Sequence, residues 1–531
     1  MPPPADEPSS LLRSTTAPES TAAVRPAIGF VSLGCPKNLV DSEVMMGLLQ
    51  RAGGELTARA EDADILVVNT CSFIDSAKQE SVNTILEMTR HKSANGGRAQ
   101  KLIVAGCLVE RYRDEIQRNI PEVDAVVGTG ELEAILSAAG LAPVPEAATA
   151  ASPFNILVSR APSAVHQHSH PSESGAQINA GAQPSRPEGD LRELQGRFSR
   201  AAWDGASATL PDYLYSEDTP RVLTTLRSSA YIKIAEGCDH PCSFCIIPQL
   251  RGKFRSRRLE SIVAEAEKLI AQGVREITLI GQDTTCYGED LGIKDGLATL
   301  LDSLAVLPGL KWLRFLYAYP NKITTRLLET IARHDTIAKY LDVPLQHASP
   351  AVLKRMKRGG TPELFLRLID KARATVPGIV IRTSFIVGFP GETEEDFLVL
   401  EDFVRAARID WLGVFSYSDE EGAAAFNLDS ALKVPKRTIE SRRRRLMKLQ
   451  QKISAKSRAA WVGRDFDVLV EGESEETELL WEGRTLLHAP EIDGKVFIND
   501  FGPHETLVPG TFYRAQITES HQYDIVARIV E

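Results

Sequence analysis

Short apolar runs alternate with helix-like stretches over most of this 531-residue chain. Near the amino terminus, three such runs each end at a cysteine, namely Cys35, Cys71 and Cys107. Alternation of strand and helix predicts a parallel sheet with right-handed crossovers, in which all strands end at one edge. We therefore expect an open parallel-sheet domain of the flavodoxin or Rossmann kind over residues 26–140. Its three cysteines should meet at the edge where such sheets bind ligands.

Three thiols at one sheet edge can bind a metal or can simply pack. Free cysteine often behaves as a small buried hydrophobe, and for one cysteine alone that is the better interpretation. Three cysteines at the same topological position favour an iron–sulfur cluster that leaves one iron without a protein ligand.

A second cysteine group follows the apolar run Ala230–Ile234, which predicts a strand. Cys238, Cys242 and Cys245 form a CxxxCxxC triplet. A structural metal site is closed by four ligands, so three thiolates suggest a four-iron cluster with one iron open for a reactive ligand. Spacing alone leaves two alternatives open: a Cys3His zinc site completed by His240, and thiols that bind no metal.

Over residues 210–460, six strand-like runs alternate with helical stretches. Six βα units predict a partial (β/α)6 barrel whose functional site lies at the carboxyl ends of the strands. Each polar or glycine residue near those ends has a plain alternative in packing or chain turning, so the set carries more weight than any member. The candidate cofactor contacts are Gln282, Asp283, Gln346, His347, Arg382, Ser384 and Gly388.

Composition sets the remaining boundaries. Residues 1–25 are rich in Pro, Ser, Thr and Ala without an apolar leader, which predicts a disordered tail. Residues 141–209 have the composition of a flexible, low-complexity insertion. In residues 461–531, short apolar runs separated by turns predict a small antiparallel β-barrel. Because no apolar run is long enough to cross a bilayer, we expect a cytoplasmic protein whose cysteines serve metal binding or catalysis.

Charge is unevenly distributed along the chain. Asp465–Glu531 holds 15 acidic and 4 basic residues, a net charge of −11, whereas the whole chain carries −10. Because nucleic-acid affinity comes largely from Lys and Arg, an acidic barrel favours a basic protein partner over RNA. The alternative is that this acidity only keeps the surface soluble. Residues 436–458 differ, with ten basic residues against Glu440 alone, and predict either an RNA contact or a solvated connecting helix.

These motifs resemble those of the radical S-adenosylmethionine (SAM) methylthiotransferases. The resemblance is carried by Ser32–Asn38, Asn69–Ile74, Ile247–Arg257 and the CxxxCxxC triplet, and it is greatest for the RimO type, which modifies ribosomal protein uS12. The carboxyl-terminal segment is similar to a TRAM domain. The long insertion departs from the short linker usual in the family.

The resemblance implies an enzyme that adds a methylthio group to the β-carbon of an aspartate in uS12, using two 4Fe-4S clusters and SAM. The cluster on Cys238, Cys242 and Cys245 would generate a 5′-deoxyadenosyl radical. The cluster on Cys35, Cys71 and Cys107 would deliver the sulfur, and a second SAM would supply the methyl group. No side chain beyond the cluster ligands is assigned a catalytic role.

The implied partners are uS12, free or in the small ribosomal subunit, and an electron-donating reductase, with no membrane. Two other functions remain open. One is methylthiolation of an adenosine in transfer RNA, which the acidic barrel disfavours. The other is a non-catalytic, metal-stabilised protein that binds RNA or the ribosome.

Overall fold

The computed structural model describes residues 25–142, 211–474, 477 and 479–531. The predicted tail and the predicted insertion lie outside these residues, apart from residues 25, 141 and 142. In the parts described, no helix is both long and apolar enough to cross a membrane.

The first domain is a five-stranded parallel sheet with helices packed against it, as the alternating pattern predicts. The strand order β2-β1-β3-β4-β5 reverses direction between β1 and β3, and ligands bind at such switch points. Strands β3 and β4 are buried almost throughout because helices cover both faces. The elements are β1 (Ala27–Ser32), α1 (Pro36–Arg51), β2 (Glu55–Thr57), β3 (Ile65–Thr70), α2 (Asp75–Thr89), β4 (Lys101–Gly106), α3 (Cys107–Asn119), β5 (Ala125–Val127) and α4 (Ala134–Ala139).

The central domain is the predicted partial barrel of six parallel strands. Its strands form two parallel three-stranded groups. Two backbone hydrogen bonds of 2.8 Å join the groups: the Leu313 N–H donates to the Thr336 carbonyl, and the Ala338 N–H donates to the Leu313 carbonyl. A short antiparallel pair, β7 with β8, lies beside the triplet. The elements are β6 (Ser229–Lys233), β7 (Ala235–Glu236), α5 (Ile247–Arg251), β8 (Arg255–Ser256), α6 (Leu259–Ala271), β9 (Glu276–Ile280), α7 (Gly296–Ala305), β10 (Trp312–Phe315), α8 (Thr325–Arg333), β11 (Tyr340–Asp342), α9 (Pro350–Arg355), α10 (Pro362–Thr375), β12 (Val380–Val387), α11 (Glu394–Ala407), β13 (Trp411–Ser416) and α12 (Lys436–Ala459).

Strand β12 illustrates how the barrel sorts its side chains. Phe385 is fully buried and packs edge-on against Phe403 of α11, on the helix side of the sheet. Arg382, Ser384 and Ile386 alternate with the buried residues and are only partly buried, so they face the barrel interior.

The carboxyl-terminal domain is a closed five-stranded barrel in the order β14-β15-β16-β18-β17. The predicted small barrel is present, with one parallel pair, β16 with β18, among antiparallel ones. This pair is parallel because β17 intervenes in the chain and pairs with β14 to close the ring. The strands are β14 (Asp465–Glu473), β15 (Trp481–Thr485), β16 (Val496–Asp500), β17 (Phe512–Ser520) and β18 (Ile525–Ile529).

The carboxyl-terminal barrel closes the amino end of the central barrel. Glu276, the first residue of β9, pairs with Arg484 of β15. The hydroxyl of Tyr340, which begins β11, donates to Asp493 at 2.6 Å. The indole N–H of Trp411, which begins β13, donates to the Leu487 carbonyl at 3.2 Å. Leu487 and Asp493 both lie in the loop between β15 and β16. The opposite, carboxyl end of the barrel is therefore the end left for chemistry.

Candidate active site

The loops that carry the amino-terminal cysteines pack directly on one another. Cys35 precedes α1, and Gly34 before it has φ 91°. A Cβ at Gly34 would lie 2.7 Å from Cβ and 3.0 Å from Sγ of Cys71, so only glycine allows this approach. Cys107 begins α3 after Gly106, whose φ is 94°. Cys35 and Cys71 thus flank the switch point, and Cys107 follows the neighbouring strand.

The three thiols lie close enough to influence each other's ionisation. Burial, together with the charges of Cys107 and Cys35, raises the pKa of Cys71 to about 12. Burial also raises the pKa of Cys107, although the Arg251 guanidinium opposes that rise. Buried thiols of this kind ionise when a cation binds them, because the metal replaces the lost hydration of the thiolate.

Arg251 at the end of α5 reaches this site from the central barrel. Its guanidinium is buried and donates to Sγ of Cys107 at 3.2 Å, to Asp41 at 2.5 Å and to Asn38 at 3.2 Å. Asp41 also pairs with Lys233 of β6. One buried arginine therefore joins the two domains beside a candidate cluster ligand.

The CxxxCxxC triplet lies in the loop after β7, on the carboxyl side of β6. Burial raises the pKa of Cys238 to about 11 and that of Cys245 to about 12, and the neighbouring Cys242 adds to both shifts. Arg358 donates from Nη1 to Sγ of Cys242 at 3.4 Å. Each triplet thus has one arginine directed at one of its sulfurs.

The spacing of the donor atoms can be compared with what each metal alternative needs. Among the described residues, His240, Asp283 and Cys286 bring three possible ligand atoms within 4.8 Å of one another. Neither cysteine triplet brings its three sulfurs that close together in the described structure. One zinc ion with Zn–S bonds of about 2.3 Å would hold its sulfurs within about 4.6 Å of each other. In an iron–sulfur cluster each thiolate binds a different iron, so wider spacing fits. The ring of His240 is hydrogen-bonded to Asp283 at 2.6 Å and stacks on Tyr319 at 3.9 Å.

Four of the predicted cofactor contacts lie on the carboxyl side of the barrel. Gln282 and Asp283 follow β9, and Gln282 donates from Nε2 to Glu236, while its buried Oε1 has no hydrogen-bond partner among the described residues. Gln346 has φ 70°, and its backbone N–H donates to the Ser384 carbonyl at 2.8 Å. The side chains of Gln346 and Ser384 remain partly exposed.

His347 and Gly388, by contrast, are occupied by contacts within the protein. His347 is fully buried, its Nδ1 accepts from the Ser349 N–H at 2.9 Å, and burial lowers its pKa to about 3. The Gly388 N–H donates to Glu392, and a Cβ at Gly388 would lie 2.3 Å from Ile439. Neither residue joins the set at the barrel mouth.

Arg382 also lies away from the mouth. It donates to Asp342 at 2.7 Å and lies 3.7 Å from Asp493 of the carboxyl-terminal domain. It is the third residue of the eight-residue strand β12, so its side chain occupies the part of the barrel interior that the carboxyl-terminal domain closes.

Lys37 was not predicted as a site residue. Its Nζ lies 3.3 Å from the ring centroid of Tyr317, which follows β10 at the barrel mouth. Burial acts to lower the pKa of Lys37, but the charges of Tyr317 and Cys35 outweigh it and raise that pKa. Lys37 therefore connects the Cys35 loop to the mouth of the barrel. Its position two residues after Cys35 was the available sequence signal, but the contact depends on how the two domains meet.

Comparison with known proteins identifies the family. The models described as uncharacterized protein family UPF0004, radical SAM superfamily and TRAM domain match residues 27–128, 232–404 and 462–530. Over 503 residues the chain is 67% identical to "Ribosomal protein uS12 methylthiotransferase RimO" of Koribacter versatilis (strain Ellin345), covering 95% of this chain and 96% of the relative. The chain belongs to the RimO family. The RimO protein of Solibacter usitatus (strain Ellin6076) is 53% identical over 505 residues, covering 95% and 94%.

Among solved structures, the chain is similar to the radical S-adenosylmethionine methyltransferase TsrM from Kitasatospora setae, with a TM-score of 0.46, 16% identity and 73% of each chain covered. The predicted RimO family, the radical SAM transferase class and the three-part architecture are confirmed.

Proposed function

We propose that this RimO-family chain transfers a methylthio group to the β-carbon of an aspartate in ribosomal protein uS12. The observation that carries the proposal is that the chain has two cysteine triplets, each with an arginine hydrogen-bonded to one of its sulfurs. Arg251 of the central domain contacts Asp41, and Lys37 of the amino-terminal domain contacts Tyr317 at the barrel mouth, so the two domains meet near both triplets. The names of the RimO relatives support the choice of uS12.

Two 4Fe-4S clusters and SAM fit this site. Cys238, Cys242 and Cys245 would hold the cluster that binds SAM, and Cys35, Cys71 and Cys107 the second one. When bound, these groups supply the electron and the 5′-deoxyadenosyl radical that removes a substrate hydrogen, and the sulfur and methyl group that replace it.

The chain itself positions these groups and excludes water. Gln282, Asp283, Gln346 and Ser384 are proposed to contact SAM, and Oε1 of Gln282, which no described residue hydrogen-bonds, supplies an acceptor for one of the SAM donors. Arg251 neutralises part of the negative charge that thiolate ligands bring to a buried site. The amino-terminal and carboxyl-terminal domains contact the central barrel at opposite ends, which would help to shield the reacting carbon from solvent.

A protein substrate agrees with the charge of the carboxyl-terminal barrel. Its exposed acids include Glu473, Asp500, Glu505 and Glu519, which suit a basic ribosomal protein and repel phosphates. We place the reaction in the cytoplasm, where ribosomal proteins are assembled, and infer that a reductase supplies the electrons.

The test uses anaerobically reconstituted enzyme with SAM, sulfide, reductant and uS12 from a strain that lacks the enzyme. Wild-type protein should hold about eight irons per chain. It should add the mass of one methylthio group to a uS12 peptide. Cys71→Ala should hold about four irons; it should still release 5′-deoxyadenosine and should transfer no methylthio group. Cys242→Ala should lose both activities.

The matched control is Ser137→Ala, a change of similar size at an exposed residue of α4 that belongs to neither triplet and should leave iron content and activity unchanged. If Cys71→Ala kept full iron content and full transfer, the division between the two triplets would be wrong. If gene deletion left uS12 unchanged but removed a methylthio nucleoside from transfer RNA, the substrate would be RNA. Zinc in place of iron would indicate a non-catalytic protein.

A further inference from the structure

Helix α12, which leads from the central barrel into the carboxyl-terminal barrel, has buried arginines on its inner face, and each one donates to an acceptor on a neighbouring element. Arg442 is buried and donates to Glu392 at 2.9 Å. Arg458 is buried and donates to the Gln522 carbonyl at 2.8 Å. The inner face therefore serves to attach the helix to its neighbours.

The outer face carries a basic stripe, defined as the exposed residues Arg437, Arg444, Lys448, Lys452 and Lys456. Lys448, Lys452 and Lys456 each precede a buried residue of α12 by two positions. Two positions correspond to a rotation of about 200°, so these lysines lie on the side of the helix opposite the buried face. From Arg437 to Lys456 the stripe extends about 28 Å at the usual helical rise.

The stripe's charges are unpaired within the described part of the chain, and Glu440, which lies between Arg437 and Arg444 on α12, pairs with Arg443 instead. The stripe's neighbours Arg443 and Arg445 pair with Glu440 and Glu394, but none of the five stripe residues forms an ion pair with a carboxylate there. Arg444 donates only to the Glu440 carbonyl of its own helix, at 3.3 Å. Like charges four residues apart on a helix repel each other. Such a row, in a chain with 71 acidic and 61 basic residues, forms a local basic surface that suits an external polyanion.

RNA fits this surface better than an anionic membrane. A membrane-surface helix inserts an apolar face into the lipid. The apolar residues Ile439 and Leu446 of α12 are buried inside the protein, and the described residues of α12 show no large exposed apolar side chain. RNA needs only a row of cations that follows its phosphates.

We propose that the basic stripe binds the phosphate backbone of the RNA around the substrate protein, so that the preferred substrate is uS12 assembled in the small ribosomal subunit. This inference rests on the proposed function. The acidic barrel suits a basic protein, and the basic stripe on the adjoining helix suits RNA. The two surfaces together match a substrate protein that is bound to RNA. Free uS12 would engage only the acidic surface.

The experiment compares free uS12 with small subunits that carry unmodified uS12, using the full-length reconstituted enzyme. The variant is Lys448→Gln, Lys452→Gln, Lys456→Gln, which keeps helix propensity while removing three charges. We expect kcat/KM on subunits to fall roughly tenfold or more near physiological salt, with a weaker salt dependence. On free uS12, kcat/KM should stay within about twofold, because a surface charge away from the contact has little effect.

The matched control is Lys268→Gln, Lys371→Gln, Arg405→Gln, which removes three exposed charges from other helices and should leave both substrates unaffected. Binding to subunits, measured by sedimentation, does not depend on activity. If neither form of uS12 is modified, the proposed function is refuted. The binding measurement still tests whether the basic stripe binds the subunit RNA.

Equal kcat/KM and equal subunit binding for variant and wild type would overturn the inference. So would unchanged subunit binding together with lost binding to phosphatidylserine vesicles, which would identify a membrane surface. Equal losses on free and assembled uS12 would assign the stripe to the protein substrate.

Discussion

At the scale of single residues, the same physical conflict occurs at both triplets. Burial raises the pKa of the Cys71, Cys107, Cys238 and Cys245 thiols, whereas a cluster needs thiolates. A guanidinium on a sulfur reduces that conflict because it stabilises negative charge in a medium of low dielectric. Arg251 serves one triplet and Arg358 the other.

We predict that the Arg251 charge sets the potential of the cluster on Cys35, Cys71 and Cys107. In a background lacking the other three cysteine ligands, Arg251→Gln should lower the midpoint potential, on the order of 60 mV for a tenfold change in the one-electron equilibrium. The reduced cluster carries the extra negative charge that Arg251 stabilises. Asp41→Asn should raise the potential, because Asp41 partly neutralises Arg251. The measurement is a redox titration followed by electron paramagnetic resonance.

The opposite signs separate an electrostatic role from a structural one. If both substitutions shifted the potential in the same direction, or both only lost iron, Arg251 would act as a domain contact alone.

At the scale of elements, the join between β9 and β15 is a buried charge cluster. Glu276 has no exposed surface and accepts hydrogen bonds from Arg484, from Arg314 at 3.3 Å and from Ser229 at 2.9 Å. Burial acts to raise the pKa of Glu276, but the two arginines prevail and lower it. Removing this carboxylate would leave the buried Arg314 guanidinium without an anion and would leave Arg484 with Glu471 alone.

We therefore predict that Glu276→Gln destabilises the protein by roughly 3–5 kcal/mol. The carboxyl-terminal domain should also become sensitive to protease at its junction with α12. The measurements are chemical denaturation and limited proteolysis. Asp500→Asn, an exposed change in the same domain, should alter stability by less than about 0.5 kcal/mol. Equal stability of the two variants would contradict a role for the ion cluster in closing the barrel.

At the scale of the whole molecule, charge is divided between surfaces of opposite sign. The carboxyl-terminal barrel is acidic, and the outer face of α12 is basic. Two such surfaces on one chain steer different partners, because long-range attraction depends on the local field and not on net charge.

We predict that the acidic barrel governs encounter with free uS12. Asp500→Asn, Glu505→Gln, Glu519→Gln should raise KM by roughly 3–10-fold at low salt and leave kcat unchanged, since the change affects association. The difference should vanish near 1 M salt, where the Debye length is about 3 Å. Asp62→Asn, Asp114→Asn, Glu133→Gln removes the same charge from the amino-terminal domain and serves as control. A salt-independent loss of kcat would contradict the steering role.

Much of this architecture followed from local pattern. The cysteines could be placed at strand ends because alternating strands and helices form parallel sheets, whose carboxyl ends share an edge. Arg382 shows the limit of that argument. Its strand was predicted correctly, but its depth in the barrel and its pairing with Asp493 depend on a domain more than a hundred residues further along the chain.

The sequence by itself determined the strands, the two cysteine triplets and the family, because periodicity and motif spacing are properties of neighbouring residues. The tertiary structure alone decided which charges meet. Arg251 and Asp41 are 210 residues apart, and Arg484 and Glu276 are 208 residues apart. Whether a buried charge has a partner depends on how the domains pack, and no local pattern records that packing.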